Sequence, residues 1–336
     1  MATPTGPGVE GAVSGLVFDQ VIMVDWSAAA TPRVGSDSIW SAQGSPGGPV
    51  VTANWPTRLR AICALEDALD SAMAERRRVL LGFDFAFGYP AGFASHLGTE
   101  GPAWERVWRY LASRIVDDDA NANNRFDVAA ELNRKLGLAV FWGSPRPLAG
   151  LSPKLKVLPG HLDPNPFPAL RHTDRVAGPG IRSVWQLYGG VTVGSQVLMG
   201  VPYLQRLRDR YRERLLVWPQ QTGFVDDPLV TVEGAQILMV EIWPTALRPV
   251  YGVGSVRDEQ QVRWCAERCL QQQEAPGGLG PWFAPRLAAE LADTARAAAV
   301  NEEGWILGVG SDASPRPPRA PSAGHGSHGT RIAPCP

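Results

Sequence analysis

Three carboxylates interrupt the most apolar stretches of this chain. Asp25 closes the run Val21-Ile-Met-Val-Asp, Asp84 falls within Leu80-Leu-Gly-Phe-Asp-Phe-Ala-Phe-Gly-Tyr-Pro, and Glu241 within Ile237-Leu-Met-Val-Glu-Ile-Trp-Pro. Each stretch is short and apolar, as expected of a strand buried on both faces. A charge in such a strand is costly unless it is paired or bound to a metal. If neighbouring parallel strands carry the three to one edge of a sheet, they form an acidic pocket at the strand ends, where open α/β sheets keep their ligands. Hard carboxylate oxygens suit Mg²⁺ or Mn²⁺. One or two such ions activate water and stabilise a leaving oxygen, which is chemistry for a phosphodiester. Against this stands a plainer reading, in which each acid is a turn residue or half of a buried ion pair with an arginine.

A second constellation begins at Arg171-His-Thr-Asp-Arg175. It leads through Gly189, Gly190 and Gly194 into a helix expected to be capped by Ser195, with Gln196 beside it. Free N–H groups at a helix start can hold an anion, and a tight structural turn explains the glycines equally well. Arg171 and Arg175 would position phosphate, with Asp174, Ser195 and Gln196 facing the substrate. From Arg125 to Arg182 nine Lys or Arg face four Asp or Glu, a local excess able to meet phosphates. Arg206, Arg210 and Arg214 share one helix face and read as a solvated surface. No G-x-S-x-G, no G-x-x-x-x-G-K-[ST] and no strand-linked G-x-G-x-x-G occurs, which weighs against serine-hydrolase, P-loop and ordinary dinucleotide chemistry. Cys265 and Cys269, four apart on a helix, lack a second pair nearby to complete a zinc site, so packing is their expected role. Trp26, Trp40, Trp142, Trp185 and Trp243 lie close to these motifs, with core packing as the default.

The elements that must position the acids follow from patterning. Strands are expected at Val21–Val24, around Ser38-Ile-Trp-Ser-Ala and around Pro49-Val-Val-Thr-Ala-Asn, forming a meander. Thr57 caps a helix with apolar residues at Leu59, Ile62, Cys63, Leu69 and Met73, closed by Arg76-Arg77-Arg78. The strand bearing Asp84 comes next. A mixed region over about 97–194 includes helical stretches near 103–116 and 123–136. A long helix from Ser195 passes Pro202, a short strand is expected at Leu215-Leu-Val-Trp, then the Glu241 strand, and helices near 257–272 and 285–299. Without the region 97–194, taken as an insertion, the order is β-β-β-α-β-α-β-α. That is the order of an α/β, ribonuclease-H-like mixed sheet with flanking helices.

Composition sets the bounds. The chain has 336 residues, 44% hydrophobic and 19% charged, enough for one large core over 19–310 between flexible tails at 1–18 and 311–336. His325 and His328 fall in the second tail. A net charge of −1 argues against a surface built throughout for nucleic acid. The start lacks a signal-peptide pattern, and no run approaches the ~18 apolar residues of a membrane span, so a cytoplasmic location without membrane contact is expected.

At these residues the sequence resembles a large prokaryotic family of ribonuclease-H-like proteins described as predicted nucleases. The resemblance spans about 19–308. It is carried by Asp25, Asp84 with Pro90, Arg171 with Asp174, Met199, Glu241-Ile-Trp-Pro244 and Glu303-Gly-Trp-Ile306. It implies a metal-dependent phosphodiester hydrolase with Asp25, Asp84 and Glu241 on the metal and Asp174 or Glu303 as an auxiliary carboxylate. Two departures stand out: Phe-Ala-Phe-Gly-Tyr-Pro replaces an immediate Pro after the second Asp, and the helix before Glu302 offers only Asp293 as a last ligand. The segments Val24-Asp-Trp-Ser-Ala, Gly82-Phe-Asp-Phe-Ala-Phe-Gly-Tyr-Pro and Val193-Gly-Ser-Gln-Val-Leu-Met-Gly are also similar to proteins described as acting in molybdopterin guanine dinucleotide synthesis. A nucleotide-using enzyme of cofactor metabolism is therefore the alternative, and a non-catalytic binding module the third reading. The expected partner is nucleic acid or a nucleotide-containing small molecule.

Overall fold

The computed structural model describes residues 17–98, 100–154, 161–190, 192–247 and 256–311. His325, His328 and nearly all of both expected tails lie outside the described residues. Phe18 and Ser311, at the inner edges of those tails, are buried, and Phe18 exchanges backbone hydrogen bonds with the Gln273 side chain.

Strand β1 (Gln20–Asp25) is buried at all six positions, as its apolar run predicts. Strands β2 (Ile39–Gly44) and β3 (Val51–Trp55) complete the expected meander, β2 antiparallel to both neighbours. Helix α1 (Arg58–Ala74) starts at Thr57, whose side chain accepts a hydrogen bond from the Arg60 amide. It stops at Ala74, so the arginines at 76–78 lie beyond its last turn, and Arg76 takes a left-handed φ of 56°. Strand β4 (Val79–Phe83) then runs parallel to β1. Gly82 is required there, because a Cβ would stand 2.4 Å from the Met23 sulfur on the neighbouring strand.

Helices α2 (Ala103–Arg114) and α3 (Arg125–Leu136), the short parallel pair β5 (Leu138–Ala139) and β6 (Asp163–Pro164), and α4 (His172–Ala177) make up the expected insertion. It is continuous with the main core. Trp185 stacks on Tyr89 and Phe167 and meets Phe93 and Phe141 edge-on, at centroid separations from 4.9 to 5.8 Å. Helix α5 (Gly194–Tyr211) contains Pro202 and leads to β7 (Leu215–Val217) and β8 (Ile237–Glu241). Helix α6 (Arg257–Glu274) follows, then the short α7 (Gly280–Phe283), α8 (Arg286–Ala289) and α9 (Asp293–Ala298) and a π-helical turn at Ala299–Glu303. The single helix expected near 285–299 is thus broken in two.

The six-stranded mixed sheet has the order β3-β2-β1-β4-β8-β7, with β1, β4, β8 and β7 mutually parallel. One face packs on α1, α2, α3 and α5 through residues such as Ile22, Val24, Leu81, Phe83, Leu65 and Leu198. The other packs on α6 through Val21, Met23, Leu80, Val240, Val262 and Cys265. Cys265 and Cys269 are both fully buried in that second layer. Arg206 and Arg210, expected on a solvated face, reach Glu66 and Asp70 of α1 at 2.7 and 2.6 Å. Among the described residues no helix is long and apolar enough to cross a membrane.

Candidate functional site

Asp25 is the last residue of β1, and Asp84 directly follows β4. The parallel register pairs Val24 with Phe83, and the Asp84 amide donates to the Val24 carbonyl at 2.9 Å, so the two acids are lateral neighbours. Adjacent strands lie about 4.8 Å apart and successive side chains alternate faces. Asp25 therefore follows Met23 and Asp84 follows Gly82, which places both on the α6 face. Asp25 is buried, and no hydrogen-bond donor or cation among the described residues offsets either charge. Burial, then proximity to Asp84 and Asp258, holds the Asp25 carboxyl well above the usual range. Burial and the nearby Glu241 and Asp258 push Asp84 up to about 7.

Glu241 does not join them. In the β4–β8 register it pairs with Phe83, one step short of Asp84, so the same alternation turns its side chain to the opposite face. There Arg171 grips it with two hydrogen bonds, Nη2 to Oε1 at 2.6 Å and Nη1 to Oε2 at 2.7 Å. The Phe87 amide donates to the same carboxylate at 3.0 Å. Arg171 spends its remaining donors on Asp174, at 2.8 and 3.1 Å, and on the Glu303 carbonyl. Burial pushes the Glu241 carboxyl up while Arg171 draws it back; for Arg171, burial is outweighed by Asp174 and Glu241, and it stays charged. Where the sequence suggests Glu241 as a metal ligand and Arg171 and Asp174 as substrate contacts, the structure has the three hydrogen-bonded to one another in a buried triad that also lines a niche beside Asp84. Arg175 is exposed and donates to the Leu170 carbonyl.

The two glutamates near the end are also committed. Glu303 accepts from the amides of Ala91 and His172 and from the His172 ring. Glu302 accepts from the amides of Gly92 and Ala94. Together they pin the turn after β4, where Gly88 is necessary because a Cβ would lie 2.1 Å from the Glu302 carbonyl. Asp293 is exposed on α9 and lines none of the cavities around the acidic pair.

Asp25 and Asp84 open on a cleft of about 640 Å³. Ser195 and Gln196 line it as the sequence suggests, in other roles. Helix α5 begins at Gly194, so Ser195 lies inside the first turn rather than at the cap. Its hydroxyl donates to the Leu187 carbonyl and accepts from Arg125, while the Gln196 amide holds the Trp26 carbonyl. Asp258, which the sequence did not suggest, and Arg125, noted there only as one of a basic stretch, also line this cleft. Asp258 stands in the first turn of α6, accepts from the Asp37 amide at 2.7 Å, and is raised by burial. Its position beside Glu259 reads in sequence as an ordinary acidic helix start.

Among the described residues no group of three or more His, Cys, Asp or Glu is arranged to hold a metal ion. The donor set fits a narrower role. Two uncompensated carboxylates at one strand edge suit a hard ion that keeps several waters, since Mg²⁺ is commonly held by one or two carboxylates together with substrate phosphate. Set against family models, curated proteins and solved structures, the chain matches none.

Proposed function

We propose that this chain is a divalent-metal-dependent hydrolase of phosphodiester bonds on a ribonuclease-H-like fold, with Asp25 and Asp84 at the reacting centre. The observation that carries this reading is the pair itself: two neighbouring carboxylates at parallel strand ends, Asp25 buried and Asp84 half-buried, on one face, open to a cleft and with no ion pair to either among the described residues. A structural acid in such a place is expected to be paired, as Glu241 is. The fold assignment is supported by the meander β3-β2-β1 joined through β1 to the parallel β4 and β8, with β7 as an added edge. Mg²⁺ or Mn²⁺ at Asp25 and Asp84 would supply a polarised phosphoryl oxygen and a more acidic bound water. Asp258 adds negative potential from the α6 side. The reading as a non-catalytic module accounts for Glu241, which an arginine neutralises, and leaves Asp25 and Asp84 without a role.

Calorimetric titration with Mn²⁺ tests this directly. The wild type binds, Asp25→Asn and Asp84→Asn each weaken binding at least tenfold, and Asp293→Asn binds as the wild type does. The same two variants lose Mn²⁺-dependent cleavage of bis(p-nitrophenyl) phosphate. A wild type that takes up no Mn²⁺ at millimolar concentration overturns the metal-hydrolase reading.

A further inference from the structure

The acidic pair is not alone in its cleft. Arg125, the first residue of α3, reaches in from the insertion with its guanidinium fixed on two sides. Nε donates to the Ser195 hydroxyl at 3.0 Å, and Nη1 donates to the Asn123 side chain at 2.7 Å. Its Cζ lies 4.4 Å from the centre of the Phe126 ring. These contacts orient a cation without neutralising it, because both partners are uncharged. The acid close by among the described residues, Asp117, is already held by Arg58 through two hydrogen bonds of 2.6 Å and by the Tyr203 hydroxyl at 2.8 Å. Arg58, Asp117 and Arg125 therefore leave one surplus positive charge. Burial and the neighbouring Arg58 lower the Arg125 pKa to about 10, still charged at neutral pH.

The other arginines of the cleft differ. Arg33 pairs with Asp37, and Arg257 offsets Asp258. Four aspartates, Asp25, Asp37, Asp84 and Asp258, line the same space. Among the described residues no continuous basic track runs beside the acids, and a polynucleotide held through many phosphates would need one. A smaller niche of about 110 Å³ adjoins the cleft, sharing Asp84, Val193 and Trp243 with it; Ile181, Val184 and Ile242 give it apolar walls, and the Arg171–Asp174–Glu241 triad and the exposed Arg182 also line it. Half-buried Trp243 stands at the junction.

We infer that Arg125 is the phosphate-holding residue of this site and that its substrate is a mononucleotide-sized phosphate ester, with the anion on Arg125 and a planar ring in the niche beside Trp243. This rests on the acidic pair being the reacting centre. A prepositioned guanidinium with unspent N–H donors matches phosphate oxygens in geometry as well as charge. The acids opposite it would repel a longer anionic chain and leave room for one short one.

AMP serves as the probe, titrated into the wild type, Arg125→Gln and Arg125→Lys, each in EDTA and again in excess Mg²⁺, with Mn²⁺ affinity measured separately. The expected result is AMP binding at least several-fold tighter than inorganic phosphate in the wild type. Arg125→Gln then weakens AMP at least tenfold, Arg125→Lys weakens it less, and Mn²⁺ affinity stays within about twofold. Weakened Mn²⁺ binding in Arg125→Gln marks a disturbed fold and overturns the assignment, as does AMP binding equal to wild type. A single-stranded oligonucleotide that binds far more tightly than AMP, with a log–log salt slope steeper than about −3, overturns the small-substrate part, since slopes run near −0.7 per phosphate contacted. Arg125-dependent AMP binding that is indifferent to metal, in a protein that binds no Mn²⁺, leaves this subsite standing and sinks only the metal-hydrolase reading.

Discussion

The two faces of one sheet edge treat buried carboxylates in opposite ways. On the face toward α2 and the turn after β4, every acid is answered: Glu241 and Asp174 by Arg171, Glu302 by two backbone amides, Glu303 by two amides and a histidine ring. On the α6 face, Asp25 and Asp84 stand side by side with nothing positive among the described residues to meet them. Asp25 is buried as the answered acids are, while Asp84 is half-buried, so burial alone does not mark a site. What separates scaffold from site is whether the protein completes the electrostatics itself or leaves them for something it binds.

The largest effect should come from opening the answered face. Arg171→Ala strands two buried acids, and breaking a buried pair from one side costs about 3–5 kcal/mol. Urea unfolding at pH 7 should register that loss, and adding Glu241→Gln should restore part of it by removing one stranded charge. A loss under about 1 kcal/mol would erase the distinction between the faces, because Glu241 would then be neutral without its arginine.

Much of this arrangement is legible in the residues, and the exceptions share a cause. The apolar runs give β1, β4 and β8 and the acid each carries, and the order of elements gives the meander and the parallel crossover. Sequence does not reveal inter-strand register. Glu241 pairs with Phe83 rather than following Asp84, and that single step sends it to the other face. Nor can sequence say that Arg171 will meet Glu241, seventy residues away, instead of a phosphate. Asp258 and Arg125 sit at helix starts where their residue types are commonplace, and only the folding of α6 and α3 against the strand ends brings them to the cleft. Nor does the order of elements show that aromatic residues of the region 97–194 pack with Tyr89 into a common core around Trp185.

A smaller effect of opposite sign should come from the unanswered face. With a carboxyl at about 7 in the folded chain against an ordinary 3.8, native Asp84 keeps a proton between those values that the unfolded chain has lost. Wild-type stability contributed by this group therefore falls as pH rises from about 4 to 7. Asp84→Asn removes that decline. It should stabilise the protein by roughly 1–3 kcal/mol at pH 8 in EDTA, since each pKa unit is worth about 1.4 kcal/mol and solvent screens part of it. At pH 3.5 the gain should vanish. A variant less stable than wild type at pH 8 would mean that the chain does answer Asp84.

The smallest effect separates Arg175 from Arg171, four residues apart and alike in the sequence. Arg175 is exposed and its one described hydrogen bond goes to the Leu170 carbonyl, in the segment that leads into α4. Arg175→Ala should shift stability by no more than about 0.5 kcal/mol, the usual range for a surface substitution. AMP affinity should stay at the wild-type value, because Arg175 lines neither the cleft nor the niche. A tenfold loss of AMP binding would instead place substrate along the Arg171 segment, and would shift the anion away from Arg125 to the opposite face of the sheet.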